Sequence, residues 1–164
     1  MKSKSTAMTT ALFICLLAAV VAIGATAQTK QPNLTGTWKM NAEKSKFEQG
    51  GPSEITIKFD HKDAALSETL TIATGNGDHT LETKYSTDGK ETTQEVIGGR
   101  QAKTSAKWEG ETLIIAWKAE DGGFTRKITL SPDGKTMTMI VMQSDSDGKS
   151  STDTVVLEKQ ETKK

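Results

Sequence analysis

From residue 34 onward, hydrophobic and polar residues alternate with a period of two. Ile55, Ile57 and Phe59 alternate with Thr56, Lys58 and Asp60, and Phe124, Arg126, Ile128 and Leu130 alternate with Thr125, Lys127, Thr129 and Ser131. Leu113, Ile115 and Trp117 share one face of a further run. Successive side chains of a strand point to opposite sides of a sheet, so the pattern predicts strands with one buried and one wet face. Turn pairs separate the runs: Asn76-Gly77, Asp88-Gly89, Glu109-Gly110, Asp121-Gly122, Asp133-Gly134 and Asp147-Gly148. The Asn-Gly and Asp-Gly pairs supply the positive φ that tight hairpins require. Ten strands are predicted, over 34–40, 53–60, 64–73, 78–86, 91–97, 100–108, 111–120, 123–131, 135–143 and 151–159. One segment is helix-permissive, Ala42 to Gln49, ended by Gly50-Gly51-Pro52. It predicts a turn or two of helix over one end of the fold.

Evenly spaced strands with short connections form an antiparallel meander. An open meander exposes two edges that pair with other chains. Closing it into an up-and-down barrel of eight to ten strands removes them, which makes an all-β barrel the predicted fold class. A two-sheet sandwich is the second arrangement. No repeat at a fixed long period points to a solenoid or propeller.

Composition sharpens this picture at the N-terminus. Lys2 and Lys4 precede an apolar stretch from Leu12 to Ile23, and Ala25-Thr26-Ala27-Gln28 follows. A short basic region, an apolar run of 12 residues and an A-x-A site read as a secretory signal over 1–27, cleaved after Ala27. The run is short of the ~20 residues that span a bilayer, so no stable membrane anchor is expected. The barrel domain is then 28–159, with a frayed Lys-rich tail over 160–164. The chain has 21 basic and 21 acidic residues, and losing Lys2 and Lys4 leaves 19 against 21, a net charge of −2. That balance lacks the basic footprint of a nucleic-acid binder and the polybasic run of a protein held on anionic lipid. The single cysteine, Cys15, lies in the leader behind Ile14, a poor context for lipid attachment. The mature chain therefore has no disulfide, thiol nucleophile or thiolate metal site. A secreted or periplasmic bacterial protein fits this usage. Asn33-Leu34-Thr35 matches a glycosylation sequon, of consequence only in a eukaryotic host.

Gly36-Thr37-Trp38 opens the first strand. A G-x-W there, followed by a meander in a secreted domain of this size, resembles the lipocalin-like (calycin) barrels. The resemblance implies that Trp38 closes one barrel end under an arginine from a late strand, with Arg126 the best match. Trp38-Lys39-Met40-Asn41 with Lys44-Ser45-Lys46-Phe47 is similar to the opening of secreted bacterial proteins of this type. The strand count is shared with the intracellular fatty-acid-binding proteins. Those carry two helices between their first two strands, where only the 12 residues 41–52 are available here.

The candidate chemistry is that of a binding protein. Arg126 shares a face with Phe124, Ile128 and Leu130, and Glu68 shares one with Leu66, Leu70 and Ile72. An inward arginine is either a two-pronged anchor for the carboxylate of a fatty acid or similar amphiphile, or a structural cation stacked on Trp38 or paired with Glu68. Ala102, Thr104 and Ala106 lie on one face with Trp108, and such small residues leave room inside a barrel. Tyr85 offers a hydroxyl, and Trp108 with the Leu113, Ile115 and Trp117 face supplies wall. The expected function is non-covalent binding of a small hydrophobic or amphiphilic ligand by a monomer or weak dimer, with Arg126, Tyr85, Glu68, Trp108, Trp117 and Ile115 as ligand contacts. The alternative is a filled barrel that meets a protein or envelope component through an outer patch including Ile140 and Met142. Met137, Met139 and Val141 on the other face of that strand read as core. His61 and His79 sit at strand ends as solvated residues, without the three or four converging ligands of a zinc site. Asp145-Ser146-Asp147-Gly148 lacks the alternating acids and closing Glu of an EF-hand loop. No nucleophile elbow, phosphate loop or dinucleotide motif is present, so no catalytic residue, metal or cofactor is expected.

Overall fold

The computed structural model describes residues 31–96, 99–145 and 147–161. The predicted leader, 1–27, lies outside the described residues, as does the tail from 162. Ten strands follow one another: β1 (Gly36–Met40), β2 (Glu54–Lys62), β3 (Ala65–Thr74), β4 (Gly77–Ser86), β5 (Thr92–Val96), β6 (Arg100–Glu109), β7 (Thr112–Ala119), β8 (Gly122–Leu130), β9 (Thr136–Asp145) and β10 (Ser150–Lys159). Each lies within two residues of its predicted bounds. The glycine of each predicted turn pair has positive φ, between 60° at Gly110 and 134° at Gly122.

All ten strands belong to one antiparallel sheet in the order β4-β3-β2-β1-β10-β9-β8-β7-β6-β5. Pairing of β1 with β10, Trp38 opposite Lys159, joins the two ends of the chain. The sheet curls until its outer strands, β4 and β5, face each other across a seam. Barrel, not sandwich, is thus the arrangement adopted. Among the described residues no backbone ladder pairs β4 with β5; just past β4, Asp88 bridges Lys107 of β6, with Gly89 N–H donating to the Ala106 carbonyl at 2.9 Å. The Gln94 side chain substitutes for a ladder: its Oε1 accepts from Lys84 N–H at 3.2 Å and its Nε2 donates to the Lys84 carbonyl at 2.8 Å. The second Nε2 hydrogen serves Thr104 Oγ1 at 2.6 Å. A carboxamide carries the same donor and acceptor as a peptide unit, so one side chain satisfies both backbone groups of Lys84.

The segment 41–52 holds no helix. Its residues are competent helix formers, but β1 stops at Met40 and leaves the β10 edge unpaired beyond Val156. The segment makes a single turn over 42–44, where Ser45 N–H donates to the Asn41 carbonyl at 3.1 Å, and then returns to that edge. Asn41 N–H donates to the Val156 carbonyl, and Lys46 and Thr154 exchange two backbone bonds at 2.7 and 2.8 Å. Satisfying those strand groups outweighs the small differences in helix propensity.

Trp38 is fully buried at one barrel end, and its Nε1–H donates to the Leu34 carbonyl at 2.9 Å. The cation over its ring is Lys159, with Nζ 5.2 Å from the ring centre, and not Arg126. This gives Gly36 a physical role. Its φ is +141°, and a Cβ there would sit 2.8 Å from Lys159 Cε, so a side chain at 36 would block the lysine stem on its way to the indole. Lys159 is thereby part of the barrel, and Gln160 N–H still donates to the Thr37 carbonyl.

Candidate functional site

The barrel interior has two unlike halves. Toward the Trp38 end, Phe59, Leu66, Leu113, Ile128, Met137 and Leu157 are all buried to within 1 % of their surface. They interlock and fill that half. Along the same strands toward the other end, Ile72, Leu81, Phe124 and Val141 are only partly buried. Few large side chains occupy this end, and a cavity of about 520 Å³ lies there, open on one side. Leu70, Ile72, Phe124, Met139, Val141 and Val155 form its apolar wall, and Arg126 lines it as well. A second depression of about 530 Å³ adjoins it, sharing Gly50, Phe124, Gln143 and Asp153. Its walls are more polar and include the Arg100–Asp121 ion pair. Both open at the end where the β3–β4, β5–β6, β7–β8 and β9–β10 turns lie.

The segment 47–52, which turns at residues 48–49, crosses this mouth. Phe47 packs against the core and lines the cavity with Gly50, Gly51 and Pro52. Glu48 N–H donates to Asp153 Oδ1 at 2.9 Å and ties the segment to β10. A side chain at Gly51 would collide with the Phe47 ring.

Between the filled and hollow halves lies a polar cluster drawn from four strands. Arg126 of β8 and Glu68 of β3 are 3 % and 2 % exposed. Their contact is two-pronged: Nη1 to Oε1 and Nη2 to Oε2, each 2.6 Å. Tyr85 of β4 donates its hydroxyl to Glu68 Oε2 at 3.1 Å and accepts from Trp117 Nε1–H of β7, also at 3.1 Å. The guanidinium stands 5.9 Å from the Trp117 ring and 5.7 Å from the Phe124 ring. Fork geometry, short charge-assisted bonds and aromatic faces are what a buried guanidinium needs to stay charged. The adjacent Glu68 carboxylate raises the Arg126 pKa against the opposing effect of burial. Burial, then the Glu68 charge, push the Tyr85 phenol well above its ordinary range, so it stays a donor. One group remains unmatched: Arg126 Nε has no hydrogen-bond partner among the described residues.

The sequence-derived candidates divide accordingly. Arg126, Glu68, Tyr85 and Trp117 come together in one cluster, and of the two structural roles open to Arg126, pairing with Glu68 is the one adopted. Arg126 touches the main cavity and Trp117 the second. Ile115 is fully buried and lines neither. Trp108 lies toward the closed end, its ring 5.9 Å from that of His61, away from both depressions. His61 is not a solvated residue: it is half-buried there, and its Nδ1 accepts Leu34 N–H at 3.4 Å. His79 is exposed. Ile140 and Met142 face outward and are half-buried, with Lys127, Thr125, Thr152 and Thr154 as register partners. Phe47, Gln143 and Asp153 at the mouth escape sequence reasoning. The Gly50-Gly51-Pro52 break beside Phe47 is the one signal that marks the place.

The nearly closed, ten-stranded antiparallel barrel is a calycin-type β-barrel fold. Solved structures of that class share it. One is a fatty acid transporter, REP1-NXSQ, with a TM-score of 0.61, 16 % identity, and coverage of 79 % of this chain and 98 % of that one. A second is the zebrafish ileal bile acid-binding protein in complex with cholic acid, with a TM-score of 0.55, 18 % identity, and coverage of 77 % and 98 %. A third, the fatty-acid-binding protein 1 of Echinococcus granulosus, has a TM-score of 0.55, 11 % identity, and coverage of 77 % and 97 %. At these identities the likeness is one of fold. No known family pattern matches the sequence, and no curated protein matches it.

Proposed function

We propose that the chain is an exported carrier that holds one small hydrophobic or amphiphilic molecule, non-covalently, in the open half of its barrel. The observation that carries this reading is the cavity of about 520 Å³ with aliphatic walls and Arg126 on its lining. Small-molecule sites are concave, mostly apolar, of about 300–1,000 Å³, with a few placed polar groups. The likeness to barrels named for fatty acid and bile acid binding supports the same use. Export rests on the leader pattern over 1–27. The ligand tail lies along Ile72, Met139 and Val141 with its polar end toward Arg126, and Trp38 seals the far end. The carrier works as a monomer or weak dimer and needs no cofactor.

The test is uptake of N-phenyl-1-naphthylamine, a neutral dye that brightens in apolar surroundings. Saturable binding of one dye per chain is expected, and Val141→Trp, which fills the cavity, abolishes it while far-ultraviolet circular dichroism and cooperative melting stay native. Absence of saturable binding by the natural chain, or equal binding by the filled variant, overturns the proposal.

A further inference from the structure

The ion pair behind the cavity determines what kind of head group the site accepts. Glu68 engages both terminal nitrogens of the Arg126 guanidinium, and both carboxylate oxygens are used in doing so. Tyr85 adds its hydroxyl to the same carboxylate. The guanidinium charge is therefore already matched within the protein. An incoming carboxylate has two options. It displaces Glu68 and leaves that acid buried without its partner, or it stays beside Glu68 and meets a like charge in a low-dielectric interior. The charged residues lining the cavity are Arg126 and Asp153. Asp153 stands at the rim and adds a second negative charge on the path inward. The adjoining depression adds Arg100 and Lys149, but with Asp121, Asp153 and Glu68 counted against these and Arg126 the joined space offers an anion no net positive charge. Of the five guanidinium N–H groups, Glu68 takes two and the Tyr85 oxygen a third at 3.3 Å, while Nε is sealed inside the fold with no protein partner.

We propose that the barrel selects an uncharged lipid, because Glu68 already matches the Arg126 charge, and disfavours the corresponding carboxylate. This rests on the carrier reading above. It sets the chain apart from the fatty-acid and cholic-acid binders that share its fold, because their named ligands are acids.

The experiment is displacement of N-phenyl-1-naphthylamine by three matched ligands: dodecan-1-ol, methyl laurate and laurate at about pH 8, where laurate is ionised. The alcohol and ester are expected to displace the dye at concentrations at least roughly ten-fold lower than laurate. Lowering the pH to about 4, which neutralises laurate, strengthens laurate and leaves the alcohol unchanged. Glu68→Gln removes the competing charge and shifts the preference toward laurate by at least roughly ten-fold. Should that variant lose its native circular dichroism, the pH comparison on the natural chain decides alone. Laurate binding at about pH 8 as tightly as the alcohol overturns this proposal and leaves the carrier reading standing. Failure of the dye and all three ligands to bind overturns the carrier reading itself.

Discussion

Replacing Glu68 with Met would strand the Arg126 guanidinium between the two halves of the barrel. It removes two charge-assisted bonds of 2.6 Å and the acceptor for the Tyr85 hydroxyl, all inside a site 5 % exposed or less. Breaking a buried pair from one side costs about 3–5 kcal/mol, because an unmatched charge stays behind. Arg126 borders an open cavity that water can enter, which places the loss near the lower limit, about 3 kcal/mol. Unfolding entropy near the midpoint is about 2.1 cal/mol/K per residue, or about 0.27 kcal/mol/K for about 130 residues. The melting temperature should then fall by about 11 °C. Arg126→Met strands the carboxylate instead and should cost a similar amount. The double replacement leaves no buried charge and two more apolar side chains, and should return to within about 1 kcal/mol of the natural chain. Calorimetry or circular-dichroism melts of the four proteins complete the cycle. Single losses below about 1 kcal/mol that merely add in the double variant would refute the claim that these two groups depend on each other.

Tyr85 is the only tyrosine in the chain, so phenolate absorbance reports it alone. Burial and the Glu68 charge raise its pKa in the folded state, so its contribution to stability is complete below about pH 10 and is lost as pH rises further. Phenolate should appear only as the barrel unfolds, and a reversible step near pH 10 with the fold intact contradicts the buried placement. Gln94→Ala opens the β4–β5 seam, so exchange of the Lys84 amide should accelerate while stability falls by about 1–2 kcal/mol. Unchanged protection at Lys84 would show that the carboxamide does not bridge the strands. Gly51→Ala pushes the Phe47 ring off the mouth. Stopped-flow dye binding should show both entry and exit faster by several-fold, with global stability within about 1 kcal/mol. Unaltered rates would remove the 47–52 segment from the ligand's path.

Strand positions were legible because alternation is strong wherever one face is buried. Ile55, Ile57 and Phe59 point inward as the pattern requires, and so do Leu113, Ile115 and Trp117. The same rule put Arg126 and Glu68 inside. Their pairing is not written in the pattern, since β3 and β8 meet only across the barrel. The 42–49 segment misled because its composition suits a helix. The deciding factor was remote, an unpaired stretch of β10 waiting for backbone partners. Lys159 reads only as the last residue of a strand, yet its register opposite Trp38 makes it the cation over the indole. Gln94 left no signal at all. A side chain that imitates a peptide unit across a seam has no periodicity, and the seam exists only once ten strands have curled into place.

Native mass spectrometry of the protein purified from its own source, before any delipidation, is the most direct test of the central claim that the barrel is a carrier. The account predicts a discrete added mass that leaves on unfolding, is absent from Val141→Trp, and belongs to an uncharged lipid. A bare mass that takes up nothing from a lipid extract would contradict it.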